Sequence, residues 1–138
     1  MMFLSAFEIE TIIKLILGTF LGGTLGYERE KTKKPAGLRT HMLVSLGSTL
    51  FTIISFTAFP IDPARIASYV VMGIGFIGAG TVLQMKKKVI GLTTAASLWV
   101  AASIGMAVGI GYYSIAIFTT ILSFLILRLS AVEKGMKR

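Results

Sequence analysis

The sequence contains no cysteine and few charged residues. The absence of cysteine excludes disulfide bonds, iron–sulfur clusters, thiolate metal sites and a thiol nucleophile. Charged residues make up 14% of the 138 residues, whereas a soluble domain of ordinary composition carries about a quarter. Hydrophobic residues make up 54%, and the mean hydropathy is +0.82. This composition predicts a membrane protein, since the chain is long enough for roughly four to six spans of about 20 residues.

Acidic residues are scarce, and the basic residues that give the net charge of +8 are clustered. A basic surface on a soluble domain would suggest binding to nucleic acid. Here the basic clusters lie between apolar stretches, at residues 28–39, 86–88 and 128–138. This arrangement is typical of the cytoplasmic loops that orient membrane proteins. We therefore expect no nucleic-acid partner.

The apolar stretches predict an all-α, polytopic bundle of about five transmembrane helices in a single transmembrane domain. The stretch from Val89 to Leu127 has no charged residue, and its 39 residues would form a helix about 58 Å long. That length is about twice the hydrocarbon core of a bilayer, so the stretch must fold back, and Gly109 to Gly111 supply a flexible point. The predicted spans cover residues 9–27, 39–59, 64–85, 91–108 and 112–127.

The distribution of lysine and arginine predicts the orientation of this bundle. With five spans, the three basic clusters share one side of the membrane and contain 12 of the 14 basic residues. The opposite side keeps Lys14 and Arg65. The positive-inside rule then places the amino terminus outside and the carboxyl terminus in the cytoplasm.

Small residues recur at helical spacing in several of the predicted spans. In lipid, close backbone approach through small residues contributes much of the packing between helices. We favour tight packing within one protomer, and the alternative is a homodimer face built from the same residues. The glycines assigned to helix packing are Gly18, Gly22, Gly26, Gly73, Gly75, Gly78, Gly80, Gly105 and Gly109.

The sequence offers little catalytic or metal-binding chemistry. Ion and proton pathways usually contain intramembrane acids or histidines, but no carboxylate lies in the apolar part of a predicted span. Residues 73–78 match the spelling of a dinucleotide-binding motif, yet they lie inside a span instead of at a strand–helix junction. We therefore expect no enzyme activity, no catalytic residues, no cofactor and no metal site.

Polar residues at the cytoplasmic ends of the first, second and fourth predicted spans form the candidate functional site. Glu28 can pair with Arg39 and hold two helices in register. In the alternative, Arg39 and His41 bind an anion or a carboxylate of a partner. His41 alone is more often satisfied by local hydrogen bonds than catalytic. The full cluster comprises Glu28, Arg29, Arg39, Thr40, His41, Thr93 and Thr94.

Three motifs occur in order along the chain, at residues 26–29 with 36–41, at residues 73–80 and at residues 91–99. Together they resemble the MgtC/SapB family of bacterial membrane proteins. The resemblance implies an inner-membrane protein connected with magnesium limitation and, in pathogens, with survival inside host cells. It further implies a regulator of other membrane proteins, including the proton-driven ATP synthase, instead of a magnesium transporter.

The same resemblance assigns the recurrent polar residues of the family to Glu28, Arg29, Arg39, Thr40, Thr93 and Thr94. Two positions depart from the family pattern. Ile90 stands where the family often has arginine, and Thr93 stands where some virulence-associated members have asparagine. Many members carry a soluble domain after the spans, and we expect no soluble C-terminal domain in this chain, which ends at Arg138.

These observations favour a multi-pass protein of the bacterial cell (inner) membrane that acts in magnesium homeostasis or adaptation to low magnesium. We expect it to modulate a partner membrane protein. The alternative is a small oligomeric ion transporter or channel. The expected partners are the lipid bilayer and another membrane protein, with a homodimer as a further alternative.

Overall fold

In the part of the chain that the structure describes, the apolar stretches fold into five α-helices, so the predicted helical bundle is confirmed. The structure is a computed structural model that describes residues 5–85 and 88–136. Two of the three lysines at 86–88 and the last two residues of the chain therefore lie outside the described part. The helices are α1 (Ala6–Lys31), α2 (Leu38–Ala58), α3 (Ala64–Gly80), α4 (Leu92–Ile110) and α5 (Tyr113–Met136).

A short β-hairpin follows α3 and corrects the purely helical prediction. Its strands are β1 (Leu83–Met85) and β2 (Lys88–Ile90), which pair antiparallel. The third helix therefore ends at Gly80, whereas the apolar pattern predicted a helix through residue 85. The hydroxyl and the N–H of Thr81 both donate to the carbonyl of Gly78, at 2.7 Å and 3.0 Å, and close the helix end. Hydropathy alone does not predict a helix end of this kind.

The hairpin is joined to α4 at a position that requires glycine. Gly91 has a φ of +96°, in the left-handed region that side chains rarely adopt. A Cβ at this position would also overlap the carbonyl oxygen of Thr81. The start of α4 is therefore held against the end of α3.

The turn between α1 and α2 is closed by backbone hydrogen bonds. The N–H of Lys34 donates to the carbonyl of Arg29 at 2.9 Å, and the N–H of Lys33 donates to that of Glu30 at 3.0 Å. This pattern is a Schellman motif, with Lys33 in the left-handed conformation at a φ of +54°. The Glu30 carboxylate then accepts the N–H of Leu38 at 2.8 Å and caps α2. Both helix ends at this turn are therefore satisfied by residues of the turn itself.

The α2 helix turns its polar face into the bundle. Apart from Arg39 and Thr57, its exposed side chains are apolar, and they include Leu43 and Phe51. This arrangement reverses that of a helix in a soluble protein, because the surroundings of the bundle are apolar lipid. Apart from Ile53, the buried residues of α2 are polar: His41, Ser45, Ser48, Thr49, Thr52 and Ser55.

Glycines of α1 and α4 make room for this polar face. A Cβ at Gly22 would lie 2.7 Å from the carbonyl oxygen of His41, and one at Gly105 would lie 2.9 Å from Cβ of Ser48 and overlap the Ser45 carbonyl. The Ser45 hydroxyl donates across the interface to the carbonyl of Gly18 at 2.7 Å. The α2 helix is therefore held between α1 and α4 at distances that only glycine permits. We call this contact the hydroxyl–glycine seam.

The other packing glycines divide into two groups. Gly26 and Gly109 also face α2 at distances too short for a side chain, and Gly78 is in van der Waals contact with Ala95 of α4. By contrast, no atom within 4 Å would meet a Cβ at Gly73, Gly75 or Gly80 among the described residues. The glycine row of α3 therefore leaves open space on the outside of the described bundle.

Apolar side chains complete the core on the side of α1, α4 and α5. This cluster is mostly aliphatic, and it packs the seam against α5. Its buried members are Leu21, Leu25, Ile104, Val108, Ala116 and Leu127.

A glycine-to-alanine substitution is predicted to have opposite effects on stability at Gly105, inside the seam, and at Gly75, outside it. We expect Gly105→Ala to lower the stability by about 1–3 kcal/mol, because the added methyl group overlaps α2. The matched control Gly75→Ala adds a methyl group in open space on α3, and we expect a gain of about 0.5–1 kcal/mol from helix propensity. Thermal unfolding in detergent measures both. Equal losses for the two variants would show that the seam does not limit stability.

Candidate functional site

Glu28 and Arg29 form a buried ion pair at the end of α1. The Nε–H of Arg29 donates to Oε2 of Glu28 at 2.6 Å, and Nη2 lies 2.6 Å from the same oxygen. Their side chains are 4% and 2% exposed. Loss of one charge from a buried pair typically costs about 3–5 kcal/mol, because the other charge is left without a counterion. Glu28 therefore pairs with its neighbour in the same helix, and Arg39 does not take part.

His41, near the start of α2, connects this helix to α4. Its ring is fully buried, and Nε2 lies 2.9 Å from the hydroxyl of Ser97. Nδ1 lies 3.0 Å from the carbonyl of Gly37, and because a carbonyl only accepts, Nδ1 carries a proton. The Ser97 hydroxyl also lies 2.8 Å from the carbonyl of Thr94. This chain of hydrogen bonds fixes the orientation of the ring and ties the starts of two helices together.

The predicted polar cluster is split between the interior and the surface. Thr94 is buried next to the His41–Ser97 bridge, and Thr40 is half-buried. Thr93 and Arg39 are exposed. Arg39 forms no ion pair or hydrogen bond with the part of the chain that the structure describes. The buried part of the cluster is therefore suited to holding helix ends in register, and the exposed part is available to groups outside the bundle.

Two residues at this end of the bundle were missed by reasoning from the sequence. Glu30 caps α2, and Ser97 is the partner of His41. The pairing of Glu30 with a backbone N–H eight residues later has no sequence signal. The role of Ser97 does have one, because α2 places hydroxyl residues at spacings of three and four along one face, and such a face requires polar or small partners.

The seam continues the polar interior along α2. Thr49 donates to the carbonyl of Ser45 at 2.8 Å, and the hydroxyl of Ser55 donates to the carbonyl of Pro63. The Thr52 hydroxyl is buried and has no hydrogen-bond partner among the described residues. Thr49 therefore satisfies its hydroxyl within α2, whereas Ser45 donates across the contact to the carbonyl of Gly18 in α1.

The described residues do not provide a metal-ligand set. No three His, Asp or Glu side chains lie together within residues 5–85 and 88–136. The one histidine of the chain has both ring nitrogens engaged with Gly37 and Ser97. The geometry of this site therefore favours a structural role over metal binding at His41.

Within the described residues, three helices are long and apolar enough to cross a membrane. They are α1, α2 and α4, whereas α3 and residues 113–129 of α5 are shorter apolar segments. Their exposed surfaces are rich in large apolar side chains such as Phe20 and Phe76. The length and apolar composition of these helices indicate a membrane protein.

The sequence is similar to those of several known proteins. "Putative magnesium transporter YhiD" of Escherichia coli (strain K12) is 46% identical over 127 residues, which cover 86% of this chain and 59% of that protein. "Protein MgtC" of Salmonella typhimurium (strain LT2) is 42% identical over 111 residues, covering 80% of this chain and 48% of the relative. "Protein SapB" of Bacillus subtilis (strain 168) is 40% identical over 127 residues, covering 85% and 54%.

The chain spans about half the length of the curated relatives it matches. No solved structure matches it. The sequence pattern of the MgtC family matches residues 15–134, which include all of α2, α3 and α4 and most of α1 and α5. With this match and the identities above, the chain is a membrane protein that belongs to the MgtC family.

Proposed function

We propose that this chain is a multi-pass inner-membrane protein that acts in magnesium homeostasis by modulating a partner membrane protein. The link to magnesium is supported by the similarity to YhiD, whose name describes a magnesium transporter. The modulator role is supported by the closed interior of the bundle. A modulator needs an outer surface and a rigid scaffold, and it needs no route for ions through its own helices.

The observation that carries this proposal is the hydroxyl–glycine seam. Backbone and side-chain atoms of α2 fill the space against α1 and α4 so closely that a methyl group at Gly22 or Gly105 would overlap them. Mg²⁺ gives up its water reluctantly and usually keeps several water molecules when bound. A hydrated ion therefore has no room between these three helices.

The positions of the acidic residues also favour a modulator. The acids whose side chains the structure describes lie at helix ends or in turns, at Glu8, Glu10, Glu28, Glu30 and Asp62. Mg²⁺ sites in proteins commonly use one or two carboxylates. Within the described part of the chain, the middle of each helix supplies hydroxyls and carbonyls instead.

A small oligomeric ion transporter is the second candidate, and two observations favour it. One is the name of the relative YhiD. The other is the hydroxyl of Thr52, which is buried, has no hydrogen-bond partner among the described residues, and carries an oxygen atom of the kind that binds cations. This candidate requires the seam to open during transport.

Ion flux from purified protein distinguishes the two candidates. We expect liposomes that contain only this protein and a Mg²⁺-sensitive dye to take up Mg²⁺ no faster than protein-free liposomes, because the seam is closed. An ionophore added at the end verifies that the dye responds. In parallel, the protein should restore growth in low magnesium to a bacterial strain that lacks its own family member.

Two threonine variants make this experiment decisive. Thr52→Val removes the buried, unpartnered hydroxyl, whereas the control Thr57→Val removes an exposed hydroxyl that donates to the Ile53 carbonyl of the same helix. Protein-dependent Mg²⁺ uptake that Thr52→Val abolishes and Thr57→Val preserves would contradict the modulator and assign the ion route to the seam.

The proposal includes five membrane crossings, with the amino terminus outside and the carboxyl terminus in the cytoplasm. The positive-inside rule supports this orientation, since the turn between α1 and α2 contains Lys33 and Lys34 and the turn between α2 and α3 contains no lysine. Five helices joined by short connections in the described part of the chain are consistent with five crossings.

The absence of cysteine makes this orientation directly measurable with single-cysteine variants. We expect a membrane-impermeant maleimide to label Ile61→Cys and Tyr112→Cys in intact cells, because both positions are exposed in turns on the proposed outer side. Lys34→Cys, exposed in the turn between α1 and α2, should react only after the cells are permeabilised. Labelling of Lys34→Cys and Ile61→Cys from the same side would contradict five alternating crossings.

A further inference from the structure

An apolar groove runs along the outside of the bundle between α2 and α3. Its volume is about 500 Å³, within the range of about 300–1,000 Å³ that is usual for ligand sites. Two glycines keep it open, because no atom lies within 4 Å of a Cβ placed at Gly47 or Gly73. The lining residues are Leu43, Val44, Gly47, Ser48 and Phe51 of α2 and Ile66, Tyr69, Val70, Gly73, Ile74 and Ile77 of α3.

Arg39 lies one helical turn beyond the end of this groove, on the same face of α2. Arg39, Leu43, Gly47 and Phe51 follow one another at intervals of four residues, which places them in one row along the helix. The lining extends about 12 Å along α2, from Leu43 to Phe51, and about 17 Å along α3, from Ile66 to Ile77, compared with about 15 Å for the hydrocarbon of one leaflet. A positive charge therefore stands at one end of an apolar groove about as long as one leaflet is thick.

Arg39 has no anionic partner among the described side chains, and the acids of residues 5–85 are engaged elsewhere. Glu10 pairs with Lys14 at 2.8 Å, and Asp62 pairs with Arg65 at 2.9 Å. The other acids of residues 5–85 are also occupied: Glu8 with Ser5, Glu28 with Arg29, and Glu30 with the N–H of Leu38. Residues 5–85 of a second copy would thus bring Arg39 no unengaged carboxylate.

We propose that the groove and Arg39 form a binding site for one anionic phospholipid of the surrounding membrane. The Arg39 guanidinium binds the headgroup phosphate, and one acyl chain lies in the groove between α2 and α3. The exposed Lys31, Lys33 and Lys34 of the adjacent turn add positive potential at the same end of α2, which favours anionic over zwitterionic headgroups. The site does not depend on the proposed modulator role.

The binding is measured by native mass spectrometry of the purified protein in detergent, titrated with phosphatidylglycerol or with phosphatidylcholine of the same acyl chains. We expect the first phosphatidylglycerol to bind more tightly than the first phosphatidylcholine. Arg39→Gln should weaken phosphatidylglycerol about fivefold, the effect of one basic residue at a headgroup surface, and leave phosphatidylcholine unchanged. The control Arg65→Gln removes an exposed, paired arginine at the start of α3 and should change neither lipid.

A matched pair of glycine variants tests the acyl chain. Gly73→Leu fills the groove, and we expect it to weaken both lipids about tenfold, since losing contact with two methylene groups is enough for this change. Gly75→Leu adds the same side chain in open space on α3 outside the groove lining and should leave both lipids bound as in the unmodified protein. Gly47→Leu fills the groove from the side of α2 and should reproduce the effect of Gly73→Leu. An unchanged midpoint of thermal unfolding verifies that each variant is folded.

The same titrations contain the results that would overturn the site. Equal affinity for the two lipids in the unmodified protein would contradict headgroup binding by Arg39. Equal effects of Gly73→Leu and Gly75→Leu would contradict binding of the acyl chain in the groove. Displacement of phosphatidylglycerol by inorganic phosphate, with no effect of Gly73→Leu, would reduce the site to a phosphate-binding surface and contradict the seated acyl chain.

Discussion

The close contact of α2 with the glycines of α1 and α4 is the constraint on which the rest of the structure depends. In lipid, burial of apolar side chains gives helices little reason to associate, so van der Waals contact and hydrogen bonds between helices must supply the stability. The hydroxyl–glycine seam supplies both, because it brings backbones together and lets Ser45 donate to the carbonyl of Gly18. The buried Glu28–Arg29 pair and the His41–Ser97 bridge are located at the end of the same contact.

This seam divides the molecule into a closed half and an open half. The helices α1, α2 and α4 are closed against one another, with α5 packed on apolar residues such as Leu25 and Val108. The α3 helix contributes Ile74 and Ala67 to the interior but leaves its glycine row and the groove toward α2 uncovered. The proposed modulator role depends on the rigidity of the closed half. The proposed lipid site is the groove of the open half.

The sequence was sufficient to predict the helical bundle and the parts of the site that rest on periodicity. Gly18, Gly22 and Gly105 were assigned to packing from their spacing, and they lie in the seam. The hairpin after α3 could not be predicted from hydropathy, because it depends on hydrogen bonds at Thr81. The partner of Glu28 could also not be predicted from sequence patterns, because side-chain rotamers and burial decide whether it contacts Arg29 or Arg39.

The polar face of α2 has a consequence for how the chain enters the membrane during synthesis. An α2 helix alone in lipid would expose a row of hydroxyls and the His41 ring to hydrocarbon, at a cost for each polar group without a partner. The α1 helix precedes α2 in the chain and can cover part of that row as soon as α2 is made. The α4 helix, which covers the remainder, is made only after α2 and α3, so α2 is synthesised before the helix that covers the rest of its polar face.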